Sequence, residues 1–172
     1  MQIRNLHSRA LAAPVDSVGA LLDSLSSSED RLWPRKHWPP MVLKDGLVSG
    51  SSGGHGPVRY VVQRYVPKRQ VVFQFTRPKQ WSGVHAFKVE PNPGGGTLLS
   101  HALEMKATGS GLALWIGIFR PLHDALIEDA LDRAAVELGE STGKSPMWSM
   151  RVRMLRWLVR RLGFARETRR RP

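Results

Sequence analysis

The sequence predicts an α+β fold: a curved antiparallel β-sheet wrapped around a long C-terminal helix, with two short helices near the N-terminus. Three observations carry this. Six short segments rich in β-branched or aromatic residues follow one another between residues 41 and 105 with only turn chemistry between them. One long stretch after them has helical rather than alternating periodicity. The chain of 172 residues is long enough for one domain with a substantial core, and its 41% hydrophobic and 23% charged residues are globular values.

In chain order, residues 2–9 alternate without a clean apolar face and predict a first strand at a sheet edge. Pro14 opens a helix, because proline suits a first helical turn, and Val15, Val18, Leu21, Leu22 and Leu25 recur at helical spacing. A second short helix is expected over 29–32, closed by Trp33-Pro34, since a residue before proline is pushed out of helical geometry. Strands are expected at 41–43, 47–51, 58–66, 71–76, 84–90 and 97–105. The turns lie at 44–46, 50–57, 67–70 and 92–96, and turns this short make an antiparallel meander. A helix is expected over 112–138, with Phe119, Leu122, His123, Leu126, Ile127, Ala130, Leu131, Ala134 and Leu138 on its apolar face. Asp124, Glu128, Asp129, Asp132 and Glu137 fall mostly on the other side. Pro121 implies a kink or a break near Arg120. A curved sheet with one apolar face needs a cover, and this helix is the long amphipathic element available; the result is a helix-grip arrangement.

Net charge is +12, but residues 151–172 hold nine arginines and one glutamate, so the basicity belongs to the tail. The expected organisation is a domain over 1–140 and a basic, helical tail over 141–172. The chain has no cysteine, which excludes disulfides, thiolate metal sites and cysteine nucleophiles. No export signal or membrane span is visible, so a cytoplasmic protein, at most peripheral at a membrane, is expected.

Several stretches together resemble one superfamily: the opening helix 13–18, Leu32-Trp33-Pro34 with Trp38-Pro39-Pro40-Met41, the segment 53–60, and Arg120-Pro121-Leu122-His123-Asp124. The resemblance is to the START-related helix-grip proteins (SRPBCC), which include polyketide cyclase/dehydrase and lipid-transfer types, and in particular to uncharacterised bacterial members. It spans about residues 1–140 and implies a cavity for a small apolar molecule. It implies no catalytic motif, because cyclases, hydrolases, carriers and receptors share the fold.

Strand alternation puts His85, Phe87 and Val89 on one face and Leu99, His101, Leu103 and Met105 on one face of the next strand, with the two histidines about one pair apart. His123 lies on the apolar side of the long helix. His85, His101 and His123 are therefore the candidate proton-handling residues of a polar end to an apolar cavity; separately hydrogen-bonded core histidines are the plainer reading. The expected cavity wall is Val71, Phe73, Phe75, Phe87, Leu99, Leu103, Trp115 and Leu126. Trp33, Trp38, Trp81 and Trp115 read as wall and core. Arg59 and Arg120 read as surface residues paired with carboxylates. The glycine-rich stretch 50–56 lacks the lysine and helix of a phosphate loop and reads as a flexible loop at the cavity mouth; the stretch 139–145 is not a phosphate loop either. No metal and no cofactor are expected.

The expected function is binding of a small apolar or aromatic metabolite or lipid, as a carrier or as a cyclase/dehydratase-like enzyme. In the tail, Val152, Leu155, Leu158, Val159 and Leu162 recur at helical spacing. Docking of this helix on the domain or on a second copy of the chain ranks first. Contact with an anionic membrane surface through Arg151, Arg153, Arg156, Arg160 and Arg161 ranks second, and nucleic acid is not expected.

Overall fold

The computed structural model describes residues 1–141 and 147–161. Seven strands form one antiparallel sheet in the order β1-β7-β6-β5-β4-β3-β2. They are β1 (Gln2–Leu11), β2 (Val42–Leu43), β3 (Ser52–His55), β4 (Val58–Val66), β5 (Gln70–Arg77), β6 (Trp81–Pro91) and β7 (Thr97–Ala107). Helix α1 (Val15–Asp23) follows β1, and after β7 the chain runs through α2 (Gly109–Leu114), a π-helical turn (Trp115–Phe119) and α3 (Arg120–Glu137). A separate helix, α4 (Met150–Arg161), packs on α3. Among the described residues no helix is long and apolar enough to cross a membrane.

The sheet's inner face follows from alternation. In β7, Thr97, Leu99, His101, Leu103, Met105 and Ala107 are buried while the residues between them are not. In β6 the same holds for Trp81, His85, Phe87 and Val89. Register shifts between Arg59 and Tyr60 and between Val62 and Arg64 interrupt the β4–β5 ladder, and such bulges bend a sheet. Helix α1 buries Val18, Leu21 and Leu22 and contacts β6 and β7. This closes one end of the grip as solid core.

The edge strand β1 runs alongside α3, and polar side chains join them. Asn5 and His7 bond Asp124, His7 also reaches Glu128, and Arg9 bonds Glu128 and Asp132. The two elements mesh because alternate strand residues advance about 6.7 Å and four helical residues about 6 Å. These acids, expected to face away, instead fasten the helix to the sheet edge.

Three expectations need correcting. The second short helix does not form: residues 24–40 are turns and irregular chain. The Asp30 carboxylate accepts the backbone N–H groups of Ser26, Leu32 and Trp33, so a local side-chain acceptor takes the donors a helix would have used. Arg133 on α3 then donates to the carbonyls of Trp33 and Asp30, fixing this segment over the sheet. The strand expected at 47–51 is also absent, since residues 44–51 form turns in which Gly46 and Gly50 take positive φ. The pairing occurs one segment later, at Ser52–His55, where a flexible loop was expected. Gly53 makes it possible: a Cβ there would sit 2.0 Å from the Val42 carbonyl oxygen, so only glycine lets β2 and β3 approach.

The break expected near Arg120 is the π-helical turn ending at Phe119. Pro121 has no N–H to offer the carbonyls of Ile116 and Gly117, five and four residues earlier. Nη2 of Arg151, from α4, donates to both at 3.1 and 3.0 Å. A tail residue thus satisfies the backbone at the helix irregularity.

Candidate functional site

Between the concave sheet face and the α2–α3 helix lies a cavity of about 520 Å³. Its deep wall is aromatic and imidazole: Phe75, Trp81, His85, His101 and Leu103 from the sheet, and Trp115, Phe119, Leu122, His123, Leu126 and Ile127 from the helix. Its mouth is formed by residues 33–39, the β3–β4 hairpin at His55–Val58, and α4 through Arg156, Leu158, Val159 and Arg160.

Of the eight expected wall residues, Phe75, Leu103, Trp115 and Leu126 line this cavity. Val71, Phe73, Phe87 and Leu99 do not; each is fully buried in core. They share the inner sheet face as expected, but periodicity assigns a face and not a depth along the strand, and the α1 end of the grip is filled. Trp33 and Trp38 are buried in the core and line the cavity at its mouth, as wall and core residues were expected to. Arg120 lies 3.9 Å from Asp124, while Arg59 donates to the carbonyls of Gly56 and Val58.

The three candidate histidines come together. His85 and His101 are buried, and the ring centroids of His101 and His123 are 5.1 Å apart. Register places His85 opposite Leu103 and His101 opposite Phe87, one pair apart on the inner face. His85 is stacked between Phe73 and Phe75, each with centroids 4.9 Å away. Two further imidazoles extend the group beyond those expected. His7 lies directly opposite His101 in the β1–β7 ladder and 6.0 Å from His123, and the His55 Nδ1 is 3.1 Å from the Tyr60 hydroxyl. The result is a band of rings crossing the concave face.

His85 Nδ1 and His101 Nε2 are 3.3 Å apart, while His85 Nε2 and His101 Nδ1 are buried without a partner. Burial holds both pKa values well below 6.5, so both rings are neutral at pH 7. Each neutral imidazole carries one N–H, and one of the two protons must lie in the shared contact. It follows that, of the two outer nitrogens, one is a free donor and the other a free acceptor. Moving the shared proton and the outer one together exchanges these roles. Such a pair can donate to a carbonyl and accept from a hydroxyl or an acidic C–H without acquiring charge. His123, also lowered by burial, has both ring nitrogens buried and without a hydrogen-bond partner, Asp124 Oδ1 being 3.7 Å from Nδ1.

His7 behaves differently. Its hydrogen bond to Asp124 raises its pKa, against the effect of burial, with Glu128 adding to the rise. Burial alone would raise the Asp124 carboxyl, but contacts from His123, His7 and Asn5 outweigh it and hold the group well below the usual carboxylate range. His7, His123 and Asp124 bring one ligand-type atom each within 4.8 Å of one another, and the His7 Nε2 contact to Asp124 Oδ1 at 3.3 Å already joins two of them by a hydrogen bond.

Helix α4 buries Val152, Leu155 and Arg156. Arg156 was expected with the arginines facing a membrane; instead its guanidinium lies 4.3 Å over the Trp38 ring and 3.5 Å over the Trp148 ring, and donates to the His37 carbonyl at 2.6 Å. Arg151, Arg153, Arg160 and Arg161 are exposed. Leu162 of the expected apolar face, and residues 142–145 of the glycine-containing stretch, lie outside the described residues.

No protein-family model matches this sequence, and no curated protein matches it. Solved structures do resemble it in fold. CalU16 from Micromonospora echinospora is 17% identical, with 94% of this chain and 86% of that one covered at a TM-score of 0.51. A protein from Rhodobacter sphaeroides is 18% identical, with coverage of 79% and 91% and a TM-score of 0.56. A conserved protein of unknown function from Enterococcus faecalis is 12% identical, with coverage of 94% and 84% and a TM-score of 0.56. At these identities the likeness is one of fold, consistent with the helix grip.

Proposed function

We propose that this chain binds one small, largely apolar or aromatic molecule between its sheet and its α2–α3 helix, and that the His85–His101 pair engages a carbonyl or hydroxyl of that molecule. The cavity carries this reading: about 520 Å³ walled by aromatic rings, within the range of small-molecule sites, with a few polar groups converging at one end. Buried nitrogens with no partner support a ligand that supplies one, because an unpaired buried polar group is costly. The neutral pair suits carriage of a hydroxylated ring system and equally suits proton transfer in a cyclisation or dehydration, where the dry cavity would hold a reactive chain in position. Native mass spectrometry of the freshly purified full chain tests the proposal. A recurrent adduct of small-molecule mass, lost in a Leu103→Trp variant that fills the cavity, is the expected result. Titration with aromatic ketones and phenols that produces no change in tryptophan emission, together with no adduct, would sink it.

A second reading has its own observation. On the outer side of α4, Met150, Met154 and Trp157 are exposed at 75, 62 and 53%, at helical spacing and beside Arg153 and Arg161. An apolar stripe edged by arginines suits an anionic lipid surface, from which an apolar ligand would be taken up.

A further inference from the structure

We propose that the ligand of this cavity carries an anionic oxygen group, a carboxylate, sulfonate or phosphate ester, and that α4 supplies its counter-charge through Arg156. The inference rests on the cavity being a binding site and adds the chemical class of what it takes.

Arg156 is 9% exposed, and its guanidinium packs against two indole rings that meet edge to face, which restricts its rotation. Nη2 donates to the His37 carbonyl, whereas Nη1 is buried and has no partner. Among the described residues no carboxylate forms an ion pair with it. The one nearby acid is already engaged: Asp129 accepts from Trp38 Nε1 and from Trp148 Nε1. Burial lowers the Arg156 pKa to about 10, with Arg160 contributing, which leaves the group charged at neutral pH. The charge is therefore enclosed and only half satisfied.

The surroundings compensate only in part: the Asp129 charge favours the ionised guanidinium, but that carboxylate is bonded to the two indole N–H groups and not to Nη1. Arg35, Lys36 and Arg160 join Arg156 in lining the mouth, and among the described residues no aspartate or glutamate lines the cavity. A buried cation with an unsatisfied N–H is destabilising, and a chain that keeps one at the rim of an apolar cavity gains when an anionic acceptor arrives there. The apolar body of such a ligand would lie among Trp115, Leu122 and Leu126, with its acid end at Arg156. A neutral hydrocarbon would leave Nη1 as it is. Helix α4 is on this view part of the binding site, which is why the arginine sits on its inner side.

A matched pair of fluorescent probes tests this: N-phenyl-1-naphthylamine, which is neutral, and 8-anilinonaphthalene-1-sulfonate, which has the same rings and an added sulfonate. With the full chain at about 0.5 M salt, where exposed arginines are screened and an enclosed one is not, the sulfonate should bind about tenfold tighter or more. Arg156→Met, which keeps an apolar stem against the indoles, should abolish this preference, read as the ratio of the two affinities. Equal affinity of the two probes in the unaltered chain overturns the inference while leaving the binding reading intact, and that comparison needs no variant. A sulfonate preference unchanged in a folded Arg156→Met protein overturns it as well. If neither probe binds, the binding reading fails and this inference with it.

Discussion

Trp38 Nε1 donates to Asp129 Oδ2 across 2.6 Å, and Trp148 Nε1 donates to the same oxygen at 3.0 Å. One half-buried carboxylate on α3 therefore ties the segment before β2 to the segment before α4, and Arg156 stacks on both indoles. Removing the carboxylate strands two indole N–H groups. Asp129→Ala should cost roughly 2–4 kcal/mol, given about 1.5–3 for each hydrogen bond to a charged acceptor less what water recovers. Chemical denaturation should show this, together with a red-shifted tryptophan emission in the native baseline. An unchanged midpoint would mean that α4 does not stay docked.

Acid should destabilise the protein below about pH 6.5, and the sign follows from the histidines. Burial lowers the pKa of His55 to about 3 and lowers those of His85, His101 and His123. In the window below 6.5 the unfolded chain binds more protons at these sites, so their contribution is complete above that value and is lost as pH falls. The Asp124 carboxyl, held low, acts in the same direction at more acid pH. His7 opposes them: its pKa is raised, so its contribution is complete below 6.5 and disappears as pH rises through the folded value. Four sites outweigh one. Denaturant midpoints at about pH 7.5 and pH 5 should differ in favour of the higher pH, by up to about 1.4 kcal/mol per pH unit for each buried ring. Equal midpoints would mean that the rings are protonated or hydrated inside the fold.

His85→Phe should separate stability from binding. The ring already lies between Phe73 and Phe75, so a phenyl group fits the stack and removes a buried nitrogen that has no partner. Stability should stay within about 1 kcal/mol, because the gain from removing the orphan Nε2 is offset by stranding His101 Nε2, which loses its contact with His85 Nδ1. Affinity for ligands bearing a carbonyl or hydroxyl should fall at the same time. A loss of stability with unchanged affinity would assign His85 to the core alone.

The strands other than β3, their inner face and the meeting of His85, His101 and His123 were legible because alternation and turn residues are local signals. What escaped depends on contacts made at a distance. The 29–32 helix lost to Asp30, whose carboxylate gathers three backbone donors of its own segment, a competition that apolar spacing does not register. Val71 and Phe87 share a face with cavity residues and differ from them only in lying toward the filled α1 end. His7 could have joined the histidine group from pairing alone, since an edge strand on β7 brings it opposite His101, but the mixed pattern of β1 fixed no register in advance. Arg156 could not have been singled out, because its difference from Arg153 and Arg160 is the pair of tryptophans it meets.

Two glycines should respond in opposite ways to alanine. At Gly53 the added methyl would lie 2.0 Å from the Val42 carbonyl oxygen and 2.9 Å from Leu43 Cα, so β2 must part from β3 and the cavity mouth at His55 must shift. A cost of about 1–3 kcal/mol is expected, as for other overpacked sites. Gly117, in the π-helical turn, has nothing within 4 Å of an added Cβ, and alanine there should be neutral or stabilising by up to about 1 kcal/mol. Thermal melts of the two variants check both. Equal effects would contradict the close β2–β3 approach.

The outer face of α4 gives the last prediction. Trp157 is 53% exposed with the Arg161 guanidinium 4.5 Å over its ring, and Met150 and Met154 continue the stripe toward the helix start. Their burial is not needed by the fold, so Trp157→Ser should leave stability within about 0.5 kcal/mol, the usual range for surface changes. Binding to lipid should respond strongly, because an indole at a headgroup boundary contributes apolar area that serine lacks. Sedimentation with vesicles containing phosphatidylserine should therefore carry down the unaltered chain and much less of the variant, with neutral phosphatidylcholine vesicles carrying down neither. Arg156→Met is the internal control. Its side chain lies on the inner side of the helix, so vesicle binding should persist in that variant even where the preference for a sulfonated probe is lost. Loss of vesicle binding in Arg156→Met together with its retention in Trp157→Ser would reverse the assignment of the two faces.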